Sequence, residues 1–175
     1  MNGKVIWLTG LSGSGKTTLG IKIVDALKKM SQPVVFLDGD VVRDFFEHDL
    51  GYERRDRILN VRRIAFAARL LAEQNVNVVV ANIAPYFEVR DFIRRKLGED
   101  YLQIYLQSSV EQVAARDVKG HYKNQQSGQL NNLVGIDDVY EVPRHPDLVV
   151  DTANISVEES LEKILVFLKQ RNLLK

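Results

Sequence analysis

Short runs of β-branched and apolar residues alternate along the chain with longer stretches in which apolar positions recur every three or four residues. The first pattern predicts buried strands at 4–9, 34–37, 76–81, 101–106 and 147–151, and the second predicts helices at about 15–30, 57–74, 88–97, 109–115 and 156–171. The clearest stripe is Ile58, Val61, Ile64, Ala65, Ala68, Leu71 and Ala72, which share one helical face. Strands that alternate with helices of this length make a mostly parallel sheet with crossover helices on both faces, an α/β architecture. Residues 116–143 break the pattern: they are polar, contain three glycines and lack sustained periodicity. That stretch is too long for a passive connection and is expected to be a mobile lid on a single domain spanning 1–175.

Composition narrows the class. The 175 residues are 45% hydrophobic and 27% charged, as in ordinary globular proteins, and exclude a disordered or collagenous chain. A net charge of +1 offers no cationic surplus for a phosphate backbone, so nucleic acid is not an expected partner. With no cysteine there is no disulfide, thiolate metal site or cysteine nucleophile, and any metal chemistry is oxygen-ligated. The apolar run Val5-Ile6-Trp7-Leu8 meets a glycine-rich stretch at once and reads as a buried strand, not as a signal peptide. No run approaches the ~20 apolar residues of a membrane span, so a cytoplasmic enzyme is expected.

Gly10-Leu11-Ser12-Gly13-Ser14-Gly15-Lys16-Thr17 fits G-x-x-x-x-G-K-[ST], after a predicted strand and before a predicted helix. Its glycines let the backbone curl so that successive N–H groups face phosphate oxygens. The helix N-terminus adds its dipole, Lys16 neutralises the β/γ charge, and Thr17 can ligate Mg²⁺. A P-loop that binds a nucleoside triphosphate is the reading.

The rest of the chain separates a kinase from a switch or a motor. The guanine-reading N-K-x-D is absent, and Asp117-Val118-Lys119-Gly120 falls in the expected lid and not at a strand end. The third strand ends Val80-Ala81-Asn82 without the carboxylate a motor ATPase would carry there. Acids come instead from Asp38-Gly39-Asp40 after the run Val34–Leu37. In a parallel sheet the C-terminal strand ends share the P-loop edge, so these carboxylates project towards the γ-phosphate. One can accept the proton of an attacking hydroxyl while the other holds a magnesium-bound water or fixes the acceptor. A competing reading makes the segment a strand-to-helix turn in which Asp40 caps a short helix at 41–47. Arg43 stands one helical turn beyond, within reach of an anionic acceptor.

These residues resemble the adenylylsulfate (APS) kinase family, which transfers the γ-phosphoryl of MgATP to the ribose 3′-hydroxyl of APS to make PAPS. The likeness spans nearly the whole chain. It rests on Ile6–Gly13, on Leu37-Asp38-Gly39-Asp40 with Arg43, on Asp49-Leu50-Gly51-Tyr52, on Asp56-Arg57 and on Asn60–Ile64. Ala84-Pro85-Tyr86, Arg116–Tyr122 and Gly135–Pro143 continue it in the same order. The resemblance implies that Gly10, Ser12, Gly13, Ser14, Gly15, Lys16, Thr17 and Thr18 hold ATP, with Arg116 packed on its adenine. It implies Mg²⁺ on Thr17 and Asp40, and catalysis by Lys16, Asp38, Asp40 and a phosphate-closing Lys119. It places the acceptor among Asp38, Asp40, Arg43, Tyr52, Arg57, Asn60, Ile83, Lys119 and Leu133, and it implies a homodimer.

Departures from the family pattern sit at the acceptor. Tyr52 keeps the aromatic after Leu-Gly, but Leu133-Val134 replace a usual Phe-Thr, so one half of the base clamp is lost, worth about 1–3 kcal/mol by analogy with base stacking. Asn131 stands where a basic residue is common, and Ala84-Pro85-Tyr86-Phe87 replaces Ser-Pro-Tyr-Arg. Two enzyme readings follow: an APS kinase whose leucine covers the adenine, favoured by the intact Gly135–Pro143 block, or a relative phosphorylating another nucleotide, such as the cytidine diphosphoramidate kinases. A reading of another class, a non-catalytic nucleotide-binding subunit, would require loss of Lys16, Asp38, Asp40 or Lys119, and all are present.

The remaining polar residues read blandly. His48, His121 and His145 have no metal-ligand spacing, and none is expected to be catalytic. Arg54-Arg55 and Arg94-Arg95-Lys96 are expected on solvated helix faces, Arg62 and Arg63 could reach the acceptor, and Trp7 is expected in the core.

Overall fold

The computed structural model describes residues 3–117, 120–128 and 132–173. Five strands, β1 (Val5–Thr9), β2 (Val34–Asp38), β3 (Asn77–Ala81), β4 (Tyr101–Gln107) and β5 (Leu148–Asp151), form one sheet in the order β2-β3-β1-β4-β5. Every pairing is parallel, which is stricter than the mostly parallel sheet expected from the sequence. The helices are α1 (Lys16–Lys29), α2 (Gly39–Phe45), α3 (Arg54–Glu73), α4 (Phe87–Leu97), α5 (Val110–Arg116), α6 (His121–Gln126) and α7 (Val157–Gln170). None of the described helices is long and apolar enough to cross a membrane.

Alternation along the strands explains the two apolar layers. Ile6, Leu8, Val79, Leu102, Ile104 and Val150 face Leu19, Ile23, Leu27, Ile164 and Leu168 of α1 and α7. Val5, Trp7, Val78, Val80 and Tyr101 face Val61, Ile64, Ala65, Ala68 and Ile93 of α3 and α4. Trp7 is fully buried in this second layer, and its indole N–H donates to Asn82 O at 3.2 Å. Burial of both sheet faces requires the apolar runs that the sequence shows at β1 and β3.

Local chemistry sets the helix ends. Ser109 and Ser156 each form a capping box, with Gln112 and Glu159 respectively. At α2 the cap is Asp38 and not Asp40: the Asp38 side chain accepts from Asp40 N, which places Asp40 inside the first turn. Within 116–143 the described residues hold more local structure than their weak periodicity suggests. Asp117 accepts from the Tyr122 and Lys123 amides and so starts α6, and residues 133–138 close a tight turn.

Candidate active site

The strand order 2-3-1-4-5 across the all-parallel sheet places the C-terminal ends of β1, β2 and β3 along one edge, where the polypeptide leaves the sheet in three loops. The first is Gly10–Gly15. A Cβ at Gly10 would lie 2.6 Å from Leu106 O and 2.7 Å from Ser14 Oγ, so only glycine permits this approach to β4. Gly15 starts α1 at φ 94 with no side chain capping the helix, which leaves the first-turn amides for an anion. Lys16 Nζ donates to Gly10 O at 2.8 Å and Leu11 O at 2.7 Å, holding the ammonium over the loop.

The second loop brings the acids to the P-loop. Thr17 Oγ1 donates to Asp38 Oδ2 at 2.8 Å, while Asp38 Oδ1 accepts from Asp40 N at 2.9 Å. Asp38 is therefore fixed at both oxygens, and Asp40, on the first turn of α2, is exposed to the same cleft. Gly39 between them is required by close packing, since a Cβ there would meet Asn82 Nδ2 at 2.4 Å.

The far wall comes from α2, α3 and the turns beside them. Arg43 is buried, not solvated, and its Nη1 donates to Leu50 O and Gly51 O, each at 2.9 Å. Its guanidinium lies 4.6 Å from the centre of the Tyr52 ring, and that of Arg57 lies 5.5 Å from it. Arg57 donates to Tyr52 O at 2.8 Å and to Asn132 O, with Asp138 at 3.8 Å. Burial pulls the Arg57 guanidinium below its ordinary range, although Tyr86 and Asp138 oppose the shift. Asn60 is 2% exposed; its Nδ2 donates weakly to Gly39 O at 3.5 Å, but its Oδ1 has no partner. A buried amide oxygen facing a cleft in this state calls for a donor on the ligand.

Ser12, Lys16, Thr17, Asp38 and Asp40 thus share one cleft with Arg43, Tyr52, Arg57, Asn60, Ile83 and Leu133. Thr18 is exposed and lies outside the cleft lining, and Arg116 is also outside it, donating to Thr152 O at 2.7 Å. Lys119 and Asn131 fall outside the described residues. Leu133 lines the cleft but packs with Leu11, Val113 and Tyr122 in a small apolar cluster.

With that geometry, the sequence comparisons decide the family: the family model "Adenylylsulphate kinase" matches residues 2–151. The chain belongs to the adenylylsulfate kinase family. It is 42% identical over 168 residues to the adenylyl-sulfate kinase of Oceanobacillus iheyensis, covering 95% of this chain and 84% of that one. To the probable adenylyl-sulfate kinase of Aeropyrum pernix it is 41% identical over 170 residues, covering 95% and 93%. The Mycobacterium tuberculosis APS kinase CysC, solved in complex with AMPPNP and APS, superposes with a TM-score of 0.91 at 31% identity, covering 96% and 98%. As a member of this family the chain is an ATP-dependent phosphotransferase of the P-loop kinase fold.

Some cleft residues were not foreseen. His121 Nδ1 is 3.0 Å from Ser12 Oγ, and the Tyr122 hydroxyl donates to Ser12 O at 3.1 Å, so α6 rests on the phosphate loop. Burial holds the Tyr122 phenol up at about 12. Asn82, Pro85, Asn132 and Val134 also line the cleft. Asn82 at a strand end, Pro85, His121 and Tyr122 within the blocks that carry the family resemblance, and Val134 beside one of them, had a sequence signal; the place of Asn132 depends on how the chain returns. Conversely, Arg63 makes a two-point pair with Asp49 at 2.8 Å and Arg62 lies over Phe92, so neither lines the cleft. Arg54, expected on a solvated face, pairs with Glu88 at 2.6 Å and covers the Tyr86 ring.

Proposed function

We propose that this adenylylsulfate kinase family member transfers the γ-phosphoryl of MgATP to the 3′-hydroxyl of adenylyl sulfate, giving PAPS. The carrying observation is the Thr17–Asp38 hydrogen bond, which joins the nucleotide loop to a second, amide- and guanidinium-lined compartment of the same cleft. The Mycobacterium tuberculosis APS kinase, whose complex holds both AMPPNP and APS, supports two nucleotide positions on this fold.

In this reading Lys16 and the amides of Gly13–Thr17 hold the donor phosphates, with Thr18 at the first turn of α1 and Arg116 near the adenine. The oxygen donors of Thr17, Asp38 and Asp40 on one wall suit a hard divalent cation such as Mg²⁺. When bound there, that ion would neutralise charge on the transferring group. Because Asp38 and not Asp40 is hydrogen-bonded to Thr17, Asp38 takes the metal side in place of the Asp40 implied by the family resemblance, and Asp40 takes the hydroxyl proton. Arg43 and Arg57 offer positive charge to the acceptor's phosphosulfate, Tyr52 a face for its base, and Asn60 Oδ1 an acceptor for an amine or hydroxyl. Leu133 covers the base by apolar contact beside Ile83.

Residues 116–143 serve as the lid, with Lys119 closing on phosphates as the family resemblance suggests. Contacts of α6 with Ser12, of Arg57 with Asn132 and of Tyr86 with Asp138 support closure over both compartments. Such closure excludes water from the reacting phosphoryl. A homodimer is part of this reading: Phe66 and Leu70, one turn apart on α3, are 64% and 49% exposed.

The test is initial-rate ADP formation from MgATP with and without adenylyl sulfate, with the product checked as PAPS. Adenylyl-sulfate-dependent turnover is expected. Slow ADP release independent of it would overturn the acceptor assignment and direct the assay to cytidine nucleotides.

A further inference from the structure

A second cavity, of about 250 Å³, lies between α4, β4 and the loop that leads into β5. Its wall carries Arg90, Arg94, Arg144, His145, Gln103 and Phe87. Gln103 is 4% exposed, and its Nε2 has no hydrogen-bond partner. Among the described residues Arg144 makes no hydrogen bond or ion pair; its guanidinium lies 4.1 Å from the centre of the Phe87 ring. Arg90 and Arg94 are held in place by protein oxygens. Arg90 donates to Ala84 O at 2.8 Å and to Glu141 O, and Arg94 to Asp147 Oδ2 at 2.9 Å.

Donors outnumber acceptors here. Asp147, beside the cavity, is already shared by Arg94, the backbone N–H of Gln103 at 2.8 Å and, at 4.0 Å, Arg171, and the carboxylate on the wall is that of the exposed Asp91. A buried amide N–H without an acceptor is costly in a folded protein and is relieved by a ligand that accepts. Three guanidiniums and an imidazole around that amide specify the ligand's sign and chemistry, since guanidinium forks match the oxygens of oxyanions.

We propose that this cavity is a binding site for a small, multiply charged oxyanion of the sulfate or phosphate type, separate from the nucleotide cleft. Gln103 Nε2 and the Arg144 guanidinium supply the principal donors, and Arg90 and Arg94 supply the positive field. The site communicates with the cleft through Arg90, which ties the Ala84 carbonyl beside the acceptor wall to the Glu141 carbonyl of the loop.

The experiment titrates the whole protein with sodium sulfate, and separately with sodium phosphate, against sodium chloride at matched ionic strength. Saturating MgADP keeps the P-loop filled, and binding is read by calorimetry. The wild type is expected to bind one equivalent saturably in at least one titration. The double variant Arg144→Gln, His145→Gln, altered only at exposed side chains, is expected to bind at least tenfold more weakly with an unchanged melting temperature in chloride. Gln103→Met, which removes the buried donor at similar volume, should weaken binding as well. Sulfate alone binding would select a sulfate site, and phosphate alone a phosphate site. Identical titrations of wild type and both variants, or no saturable binding beside MgADP, would overturn the proposal.

Discussion

The hydroxyl of Thr17 donates to the carboxylate of Asp38 at 2.8 Å, and the same carboxylate caps α2 by accepting from Asp40 N. One side chain therefore sets the distance between the phosphate loop and the acceptor compartment, and it separates the roles of two acids only two residues apart.

That division predicts different phenotypes. Asp40→Asn should lower kcat by about 10²–10⁴-fold, the range for loss of a general base, while the Kd for MgATP changes little. Asp38→Asn should instead raise the magnesium concentration needed for half-maximal rate. Steady-state rates over a magnesium series, with nucleotide binding measured separately, check both. Loss of ATP binding in Asp40→Asn with turnover preserved would reverse the assignment.

Asn60 places an unsatisfied buried Oδ1 on the acceptor wall. Asn60→Ala should raise KM for the acceptor about tenfold, the value of one hydrogen bond at the upper end of its net range, and leave KM for MgATP unchanged. Parallel changes in both constants would show a general loss of structure.

His121 Nδ1 lies 3.0 Å from Ser12 Oγ on the phosphate loop. His121→Ala should raise KM for MgATP and leave kcat intact, the pattern of lost uniform binding. Abolished turnover at saturating substrate, with the fold intact by circular dichroism, would make the histidine a participant in the chemistry.

Gly20 lies inside α1, where a Cβ would meet the Phe36 ring at 2.5 Å. Although alanine is the better helix former, Gly20→Ala should destabilise the protein by about 1–3 kcal/mol because the ring of a packed strand residue has to shift. Thermal unfolding followed by circular dichroism measures this.

Burial raises the phenols of Tyr86, Tyr101, Tyr105, Tyr122 and Tyr140, with the Asp138 carboxylate reinforcing the shift at Tyr86. A folded-state value above the unfolded one means that the stabilisation is complete below about pH 10 and is lost as pH rises through the folded value. Stability should therefore fall above pH 10, and most tyrosinate absorbance should appear together with unfolding. Smooth titration of all six tyrosines near pH 10 in folded protein would contradict this.

The P-loop and all five strands were legible because each is written in adjacent residues: β-branched runs for strands buried on both faces, and glycine spacing for a loop that must approach β4. The helices were placed to within a few residues, and α3 begins earlier than its apolar stripe because Arg54–Asp56 form a polar first turn. Hidden from local pattern were α6, which depends on Asp117 accepting two amides, and the burial of Arg43 and Arg57, whose partners are carbonyls without a sequence signature. The amino-acid sequence by itself determined the fold class, the phosphate site and the acids beside it, since those features follow from spacing along one segment. Only the tertiary structure decided which acid is tied to Thr17, that Leu133 joins a packed cluster, and that Gln103 is left without an acceptor among arginines. These are relations between segments far apart in the chain, set by sheet order and by which buried polar atoms find partners.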